Sequence, residues 1–533
     1  MLQRRGVPVM GRPFTSLLVL LLGVAATTLL AEDANTRRYA GHKIVRVDLK
    51  TQADLDALEQ SGANILNCNP GVGPMDVLVS PAQQAELEQR RLPFEILHDD
   101  VNALLQNQRF AQPGAQAGGD PFDDFFLDYH DYDGFGGIVW YMNQLVARYP
   151  SLASMVNVGT TLEGRTIWGL RITGGGGGDK PGVVYFGCEH AREWVASTIP
   201  SYFATYLLEN YGSDGAVIDV IDHVEFFLIP VMNVDGYVYT ATDRMWRKNR
   251  RDNGNGTFGV DLNRNWGEGW GGPGSSSNTS SQIYRGPSAF SEPETQELRD
   301  FFIAHTNVVA QLDIHSYTQL ILWPYGYTGT LPPDQAVYAD VGFGMQSVIQ
   351  GVHGKLYTAG PVNTTIYPAS GVSLDWTYAQ LNILSYSYEC RDTGQFGFLL
   401  PPDQIIPNNE ELTPAIMLLS NSEWVRGAVE CVFAADCNDS NECTNDQCVC
   451  INTNNTNACR VNDTCYSGSV CSGGVCILGT ATVCDDGNGC TDDSCVSFIG
   501  CVNTNTSDPC DDGDNCTVGD ACSQGVCLGS PAD

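Results

Sequence analysis

The sequence predicts an α/β protein built on a mixed β-sheet flanked by helices, preceded by a small ferredoxin-like α+β unit and followed by a disulfide-rich repeat tail. Three observations carry this expectation. Between about residues 120 and 427, apolar runs rich in β-branched and aromatic residues (GVVYFGC, VEFFLIPVM, VVAQLDIH, ILSYSYE) alternate with helical patterns such as GGIVWYMNQLVARYP and EPETQELRDFFIAH. Residues 35–105 show the same alternation on a smaller scale. Beyond residue 430, 17 of the 20 cysteines lie between Cys431 and Cys527.

In chain order, Met1 to about Ala31 reads as a secretory signal: Arg4, Arg5 and Arg12 precede the apolar run FTSLLVLLLGVAATTLLA, which ends in small residues. An uncleaved anchor helix is the alternative, and the alanine-rich end favours cleavage. The mature protein is therefore expected to be secreted, with no later membrane span. The 62 Asp+Glu against 28 Lys+Arg leave no basic stripe for phosphate, so no nucleic-acid partner is expected. In residues 35–105, the strand-like KIVRVDL and MDVLVS alternate with the helical QADLDALEQ and PAQQAELEQRR, the pattern of a βαββαβ unit. A polar, glycine-rich link over 106–119 is expected to be flexible and open to proteases, and it contains Arg109. The glycine run at 173–179 reads as a surface turn.

The tail, 431–533, carries two tandem units of eight cysteines, Cys437 to Cys476 and Cys484 to Cys527, with a period of about 50 residues and Cys431 left over. With almost no aliphatic core, this zone needs cross-links for order, and an exported chain supplies the oxidising setting. The loops CDDGNGCTDDSC and CDDGDNCTVGDAC present oxygens of the kind that coordinate calcium. Their spacing is not that of an EF-hand, and acidic solvated disulfide loops are the favoured reading. These units resemble cysteine-rich repeats of exported proteins, which suggests retention at a cell surface.

A catalytic zinc site needs three protein ligands and one open position. His190 and Glu193, in GCEHAREWVAS, follow a buried strand, at the carboxyl end where open α/β sheets place ligands. His315, after VVAQLDIH, stands at a similar strand exit and offers a third ligand. From these residues alone, a structural histidine and a chance HxxE remain open.

HAREW, MWRKNR, VDLNRNW, DIHSY, IYPASGVSLDW and YECRDTGQFGFLLP, in this order, resemble the signature stretches of the carboxypeptidase A/B zinc metallocarboxypeptidases, over roughly residues 38–425. The resemblance implies the metallocarboxypeptidase fold with an eight-stranded sheet in residues 120–427, and one zinc ion on His190, Glu193 and His315. It implies a secreted exopeptidase that attacks peptide or protein C-termini with zinc-activated water. Glu389 is then the general base and acid; its structural alternative is a buried carboxylate paired with Arg391. Arg247 steadies the oxyanion, Asn263 and Arg264 grip the C-terminal carboxylate, and Asp261 orients His190. Tyr367 closes over the substrate, and Arg192 and Tyr317 make secondary contacts. Leu374 falls at the floor of the specificity pocket, with Ile366 and Ala369 on its wall and Val372 where glycine is usual, so apolar or aromatic C-terminal residues are expected. Residues 35–105 correspond to an activation pro-domain, removed by an activating protease near Arg109, with a permanent accessory domain as the alternative. Non-proline cis peptides are implied at Ser316-Tyr317, Pro324-Tyr325 and Arg391-Asp392.

The sequence departs from this pattern in lacking a disulfide near Thr257 and Ser280, and in placing Cys188 and Cys390 beside site residues with their pairing open. Two other functions compete with this one: a non-catalytic zinc- or peptide-binding module of a matrix-attached protein, and an amidohydrolase of a substrate such as a cell-wall peptide on the same zinc site. Retention of Glu389 and the metal set speaks against the first, and Asn263, Arg264 and Tyr367 argue for an ordinary C-terminal carboxylate against the second.

Overall fold

The computed structural model describes residues 35–67, 71–109, 129–175 and 180–427, with short segments of the tail between 444 and 531. The expected signal segment, residues 110–119 of the expected link and Cys431 lie outside the described residues.

The N-terminal unit is a four-stranded antiparallel sheet, β1 (Lys43–Leu49), β2 (Asn64–Ile65), β3 (Gly73–Val79) and β4 (Phe94–His98), in the order β2-β3-β1-β4. Its two crossover helices, Gln52–Gln60 and Pro81–Gln89, each open with a capping box, Thr51 with Asp54 and Ser80 with Gln83. Because successive side chains of a strand face opposite ways, the sheet has two apolar faces. Val45, Val47, Val77 and Val79 pack with Leu55, Leu58 and Leu87 into the unit's own core. Ile44 and Leu78, with Leu66, turn instead to Met245, Phe398 and Leu399 of the large domain. The third helix, Val101–Arg109, carries order past residue 106, where the sequence suggested that a flexible link begins. The reason is docking: Gln108 is buried, donates to the Phe398 carbonyl and accepts from Arg244 Nε at 2.9 Å.

The large domain holds β5 (Ala153–Thr160), β6 (Thr166–Ile172), β7 (Gly182–Gly187), β8 (Glu225–Ile229), β9 (Val308–Ser316), β10 (Leu320–Trp323), β11 (Thr358–Pro361) and β12 (Leu384–Cys390). They form one mixed sheet in the order β11-β10-β12-β9-β7-β8-β6-β5. The central four, β12, β9, β7 and β8, are mutually parallel. Every residue of β7 and of β12 is buried, which is why these strands read as continuous apolar runs rather than alternating ones. The helix Trp194–Asn210, buried over most of its length, packs beside β7 and the helix Ile405–Ser420.

Several departures find a physical account. The loops at Thr257 and Ser280 are joined without a disulfide. Lys248, its ammonium pushed down to about 8 by burial, donates to the Thr279 and Ser281 carbonyls at 3.0 and 3.1 Å, and Asn255 Nδ2 donates to Thr279 Oγ1 at 2.9 Å. Cys188 and Cys390 are buried free thiols. All three non-proline cis peptides occur at the expected bonds. In the tail, Cys490–Cys522 and Cys510–Cys527 cross-link the second cysteine unit. Its acidic loop caps itself: the Asp486 carboxylate accepts from Asn488 N, Thr491 Oγ1 and Asn503 Nδ2. No helix among the described residues is long and apolar enough to cross a membrane.

Arg391 and Glu411 form a buried, two-pronged pair that ties β12 to the helix Ile405–Ser420, with Nε donating at 2.8 Å and Nη2 to the other oxygen. Glu411→Ala is expected to destabilise the chain by about 3–5 kcal/mol, because it strands a buried guanidinium. Denaturant unfolding checks this, and replacing both partners by apolar residues should cost less than the single change.

Candidate active site

Three neighbouring parallel strands deliver the site, and tight local geometry turns their ends into it. β7 stops at Gly187, where an added Cβ would meet the Ala196 carbonyl oxygen at 2.5 Å, so only glycine lets the helix Trp194–Asn210 approach. Cys188 follows with φ 55°, its thiol donating to the Glu193 carbonyl, and the turn presents His190. Glu193 immediately precedes the helix. The parallel register of β9 and β12 sets Glu389 opposite His315.

His190 Nδ1 lies 2.9 Å from Glu193 Oε1, and His315 Nδ1 lies 3.0 Å from Glu193 Oε2 and 3.1 Å from His190 Nδ1. Ligands at about 2.0–2.1 Å from a tetrahedral zinc stand roughly 3.3 Å apart, so this donor set fits the ion. The far ring nitrogens face carboxylates, His190 Nε2 at 3.0 Å from Asp261 Oδ1 and His315 Nε2 at 2.9 Å from Asp313 Oδ1, which leaves each Nδ1 for the metal. Burial would raise the Glu193 carboxyl, but His190 and His315 outweigh it and hold it well below the usual range. Burial would lower His315, but Asp313 and Glu193 outweigh it and hold its pKa well above the ordinary value.

Comparison with known proteins agrees with this geometry. Residues 138–415 match the zinc carboxypeptidase family. The chain belongs to that family. It is 37% identical over 405 residues to carboxypeptidase A1 of Rattus norvegicus, covering 73% of this chain and 96% of the relative. To carboxypeptidase A2 of the same species it is 39% identical over 331 residues, covering 61% of this chain and 77% of the relative. Its fold is similar to the crystal structure of carboxypeptidase A from Helicoverpa armigera, with TM-score 0.63 and 30% identity over 74% of this chain and 99% of that one. The crystal structure of thrombin activatable fibrinolysis inhibitor is equally close, with TM-score 0.63 and 27% identity over 71% of this chain and 98% of that one. This carboxypeptidase is thus a zinc-dependent hydrolase of peptide C-termini.

The remaining residues of the carboxypeptidase signature gather round the ligands. Arg247 is buried rather than solvated: Nη2 donates to Asp261 Oδ2 at 2.9 Å and Nη1 lies 3.8 Å from Glu193 Oε1. Asp261 Oδ1 also accepts from Asn263 N at 3.1 Å and caps the short turn Leu262–Arg264. With Arg247 and His190 outweighing burial, its carboxyl stays well below the usual range. Arg264 is oriented by donating to the carbonyls of Gly274 and Asn263 at 2.7 and 2.6 Å. Glu389 does not pair with Arg391, which is committed to Glu411. Burial, reinforced by Glu193 and opposed by His315, pushes Glu389 up to about 8, and its Oε2 has no hydrogen-bond partner among the described residues.

Leu374 is buried in one apolar cluster with Leu322, Val362, Ala369 and Val372, against which Ile366 and Tyr367 pack. The adjacent acid, Asp375, accepts from the backbone N–H groups of Gly326 and Tyr327. Arg192 meets the N-terminal unit, and Tyr317 packs against the apolar seam that Ile44, Leu66 and Leu78 form with Met245, Phe398 and Leu399. Arg192 donates to the Leu66 carbonyl at 3.1 Å and to Asn64 Oδ1 at 3.3 Å, and Tyr317 packs edge-on against Phe398. Two buried carboxylates, Glu189 and Asp313, were not singled out from sequence. The available signal was a charge inside each otherwise apolar run, GVVYFGCE and VVAQLDIH.

Proposed function

We propose that this carboxypeptidase is exported as a precursor, that its N-terminal unit covers the cleft until an activating protease cuts near Arg109, and that the processed enzyme prefers apolar or aromatic C-terminal residues. The Leu374 cluster carries the specificity reading. A substrate ammonium buried against Leu374 and its apolar neighbours would go unpaired at a cost of several kcal/mol, the Asp375 carboxylate being engaged by Gly326 and Tyr327 N–H, whereas an apolar side chain gains about 25 cal/mol per Å² removed from water. The capping of Arg192 by Leu66 and Asn64 supports the precursor reading, since a group assigned to substrate is taken by the N-terminal unit. Further ties from that unit, Arg38 and Tyr39 to Asp243 and Asn35 to the Thr240 carbonyl, brace it beside Arg244 and Arg247. The neighbour named as thrombin activatable is in keeping with control by proteolysis. Export rests on the signal-like N-terminus and on the disulfides of the tail.

In the mechanism, His190, Glu193 and His315 hold the zinc, which when bound supplies Lewis-acid activation of water and of the substrate carbonyl. Glu389, uncharged more easily than an exposed carboxylate, takes the proton of the attacking water and delivers it to the leaving amine. Arg247, held by Asp261, offers its guanidinium to the developing oxyanion. Arg264 with Asn263 binds the C-terminal carboxylate, a planar fork suited to two oxygens, and so restricts cleavage to the last residue. Tyr367, at the rim of the apolar cluster, covers that residue.

Three measurements test this. Glu389→Gln is expected to retain zinc by metal analysis while losing at least about a hundredfold in kcat, the usual worth of a positioned acid-base group. Release of C-terminal Phe or Leu from blocked dipeptides should exceed that of Lys or Arg at least about tenfold, the equivalent of 1.4 kcal/mol, and Leu374→Asp should move the preference towards the basic pair. Trypsin treatment of the full chain, with mass spectrometry of the cut, should raise activity on large peptides. Equal activity before and after would make the N-terminal unit a permanent accessory.

A further inference from the structure

Resting on the reading of His315 as a zinc ligand, we infer that Asp313 is a positioning residue whose one carboxylate fixes His315, the clamp residue Asn263 and the start of the specificity helix Ser373–Leu381 together. Alternation along β9 puts Gln311, Asp313 and His315 on the same face, and Asp313 is fully buried. Its Oδ1 lies 2.9 Å from His315 Nε2. Its Oδ2 accepts from Ser373 Oγ at 2.7 Å and lies 3.4 Å from Asn263 Nδ2. Asn263 closes the ring, its Oδ1 accepting from Ser373 N at 3.2 Å.

The assignment follows from which atoms can accept a proton. With Nδ1 turned to the metal, His315 carries its proton on Nε2 and needs an acceptor there. The Asn263 amide nitrogen, 3.0 Å from Nε2, is a donor and cannot serve. Glu189 Oε2 is farther away, at 3.9 Å, and Glu189 Oε1 is occupied by Trp266 Nε1 at 2.9 Å. Asp313 Oδ1, in ion-pair contact with Nε2 at 2.9 Å and without a hydrogen bond of its own among the described residues, is the acceptor that remains. The arrangement mirrors Asp261, which holds His190 Nε2 and the Asn263 backbone. Asn263 is therefore gripped from both sides by carboxylates that each hold a zinc histidine, so zinc affinity and recognition of the C-terminal carboxylate share a support.

The test uses the full chain with Asp313→Ser, Asp313→Asn and His315→Ala, each checked for folding by thermal unfolding. Zinc affinity is read by competition with a chromophoric chelator. Asp313→Ser is expected to weaken zinc about 10–100-fold. Asp313→Asn, whose Oδ1 keeps the capacity to accept from Nε2, should stay within about threefold of wild type, and His315→Ala should lose zinc outright. A folded Asp313→Ser protein with zinc affinity unchanged beside a zinc-free His315→Ala overturns the inference alone; zinc retained by His315→Ala overturns the ligand reading beneath it. Equal loss in the Asn and Ser variants, or two zinc ions per wild-type chain on Glu189, Asp313 and His315, also overturns it. Should Asp313→Ser not fold, Ser373→Ala, which frees one carboxylate oxygen, is expected to weaken zinc measurably, and no change there counts against the proposal.

Discussion

Five carboxylates, Glu189, Glu193, Asp261, Asp313 and Glu389, are buried around two histidines at the carboxyl ends of β7, β9 and β12, and the cost of taking those charges out of water governs the rest of the domain. An ionised carboxylate left alone in such a place costs several kcal/mol, so each must find a proton, a cation or a set of donors. Asp261 finds Arg247, His190 and a backbone N–H. Glu193 finds both histidines, and Glu389 is driven towards its protonated form. These solutions are also what zinc binding and acid-base chemistry need: ring nitrogens fixed in one tautomer and a carboxyl that exchanges its proton near neutrality.

The same economy of faces explains the N-terminal unit. One side of its sheet builds a private core with two helices, enough for a small α+β unit to hold its own shape. The other side completes an apolar seam with Met245, Phe398 and Leu399, and polar ties flank that seam at Asp243 and Arg244. Arg192 and Tyr317 stand at this boundary. The tail solves stability differently. Its strands are short hairpins with little apolar area, and disulfides supply the constraint that a core cannot.

Much of this was legible in the chain itself. Continuous apolar runs announce strands buried on both faces, so the mixed sheet and the strand-end placement of His190, Glu193 and His315 could be read from pattern, and the signature stretches fixed the family. Capping pairs such as Ser80 with Gln83 mark helix starts because their chemistry is local. The N-terminal unit followed from strand and helix periods alone. What misled was composition: glycine, glutamine and alanine after residue 106 read as a loose link, although the helix reaches Arg109 because Gln108 docks on Phe398 and Arg244.

Tertiary structure alone decided the pairings. Whether Arg391 answers Glu389 or Glu411 depends on where the helix Ile405–Ser420 crosses β12, which no local spacing encodes. The free state of Cys188 and Cys390 and the replacement of a missing disulfide by Lys248 likewise depend on segments distant in sequence. So do the roles of Glu189 and Asp313, which pattern passes over as charges in apolar strands. Sequence determines local propensity, periodicity and the identity of the chemical groups. Which buried group neutralises which is set by packing, because desolvation is felt only once the distant strands have closed around it.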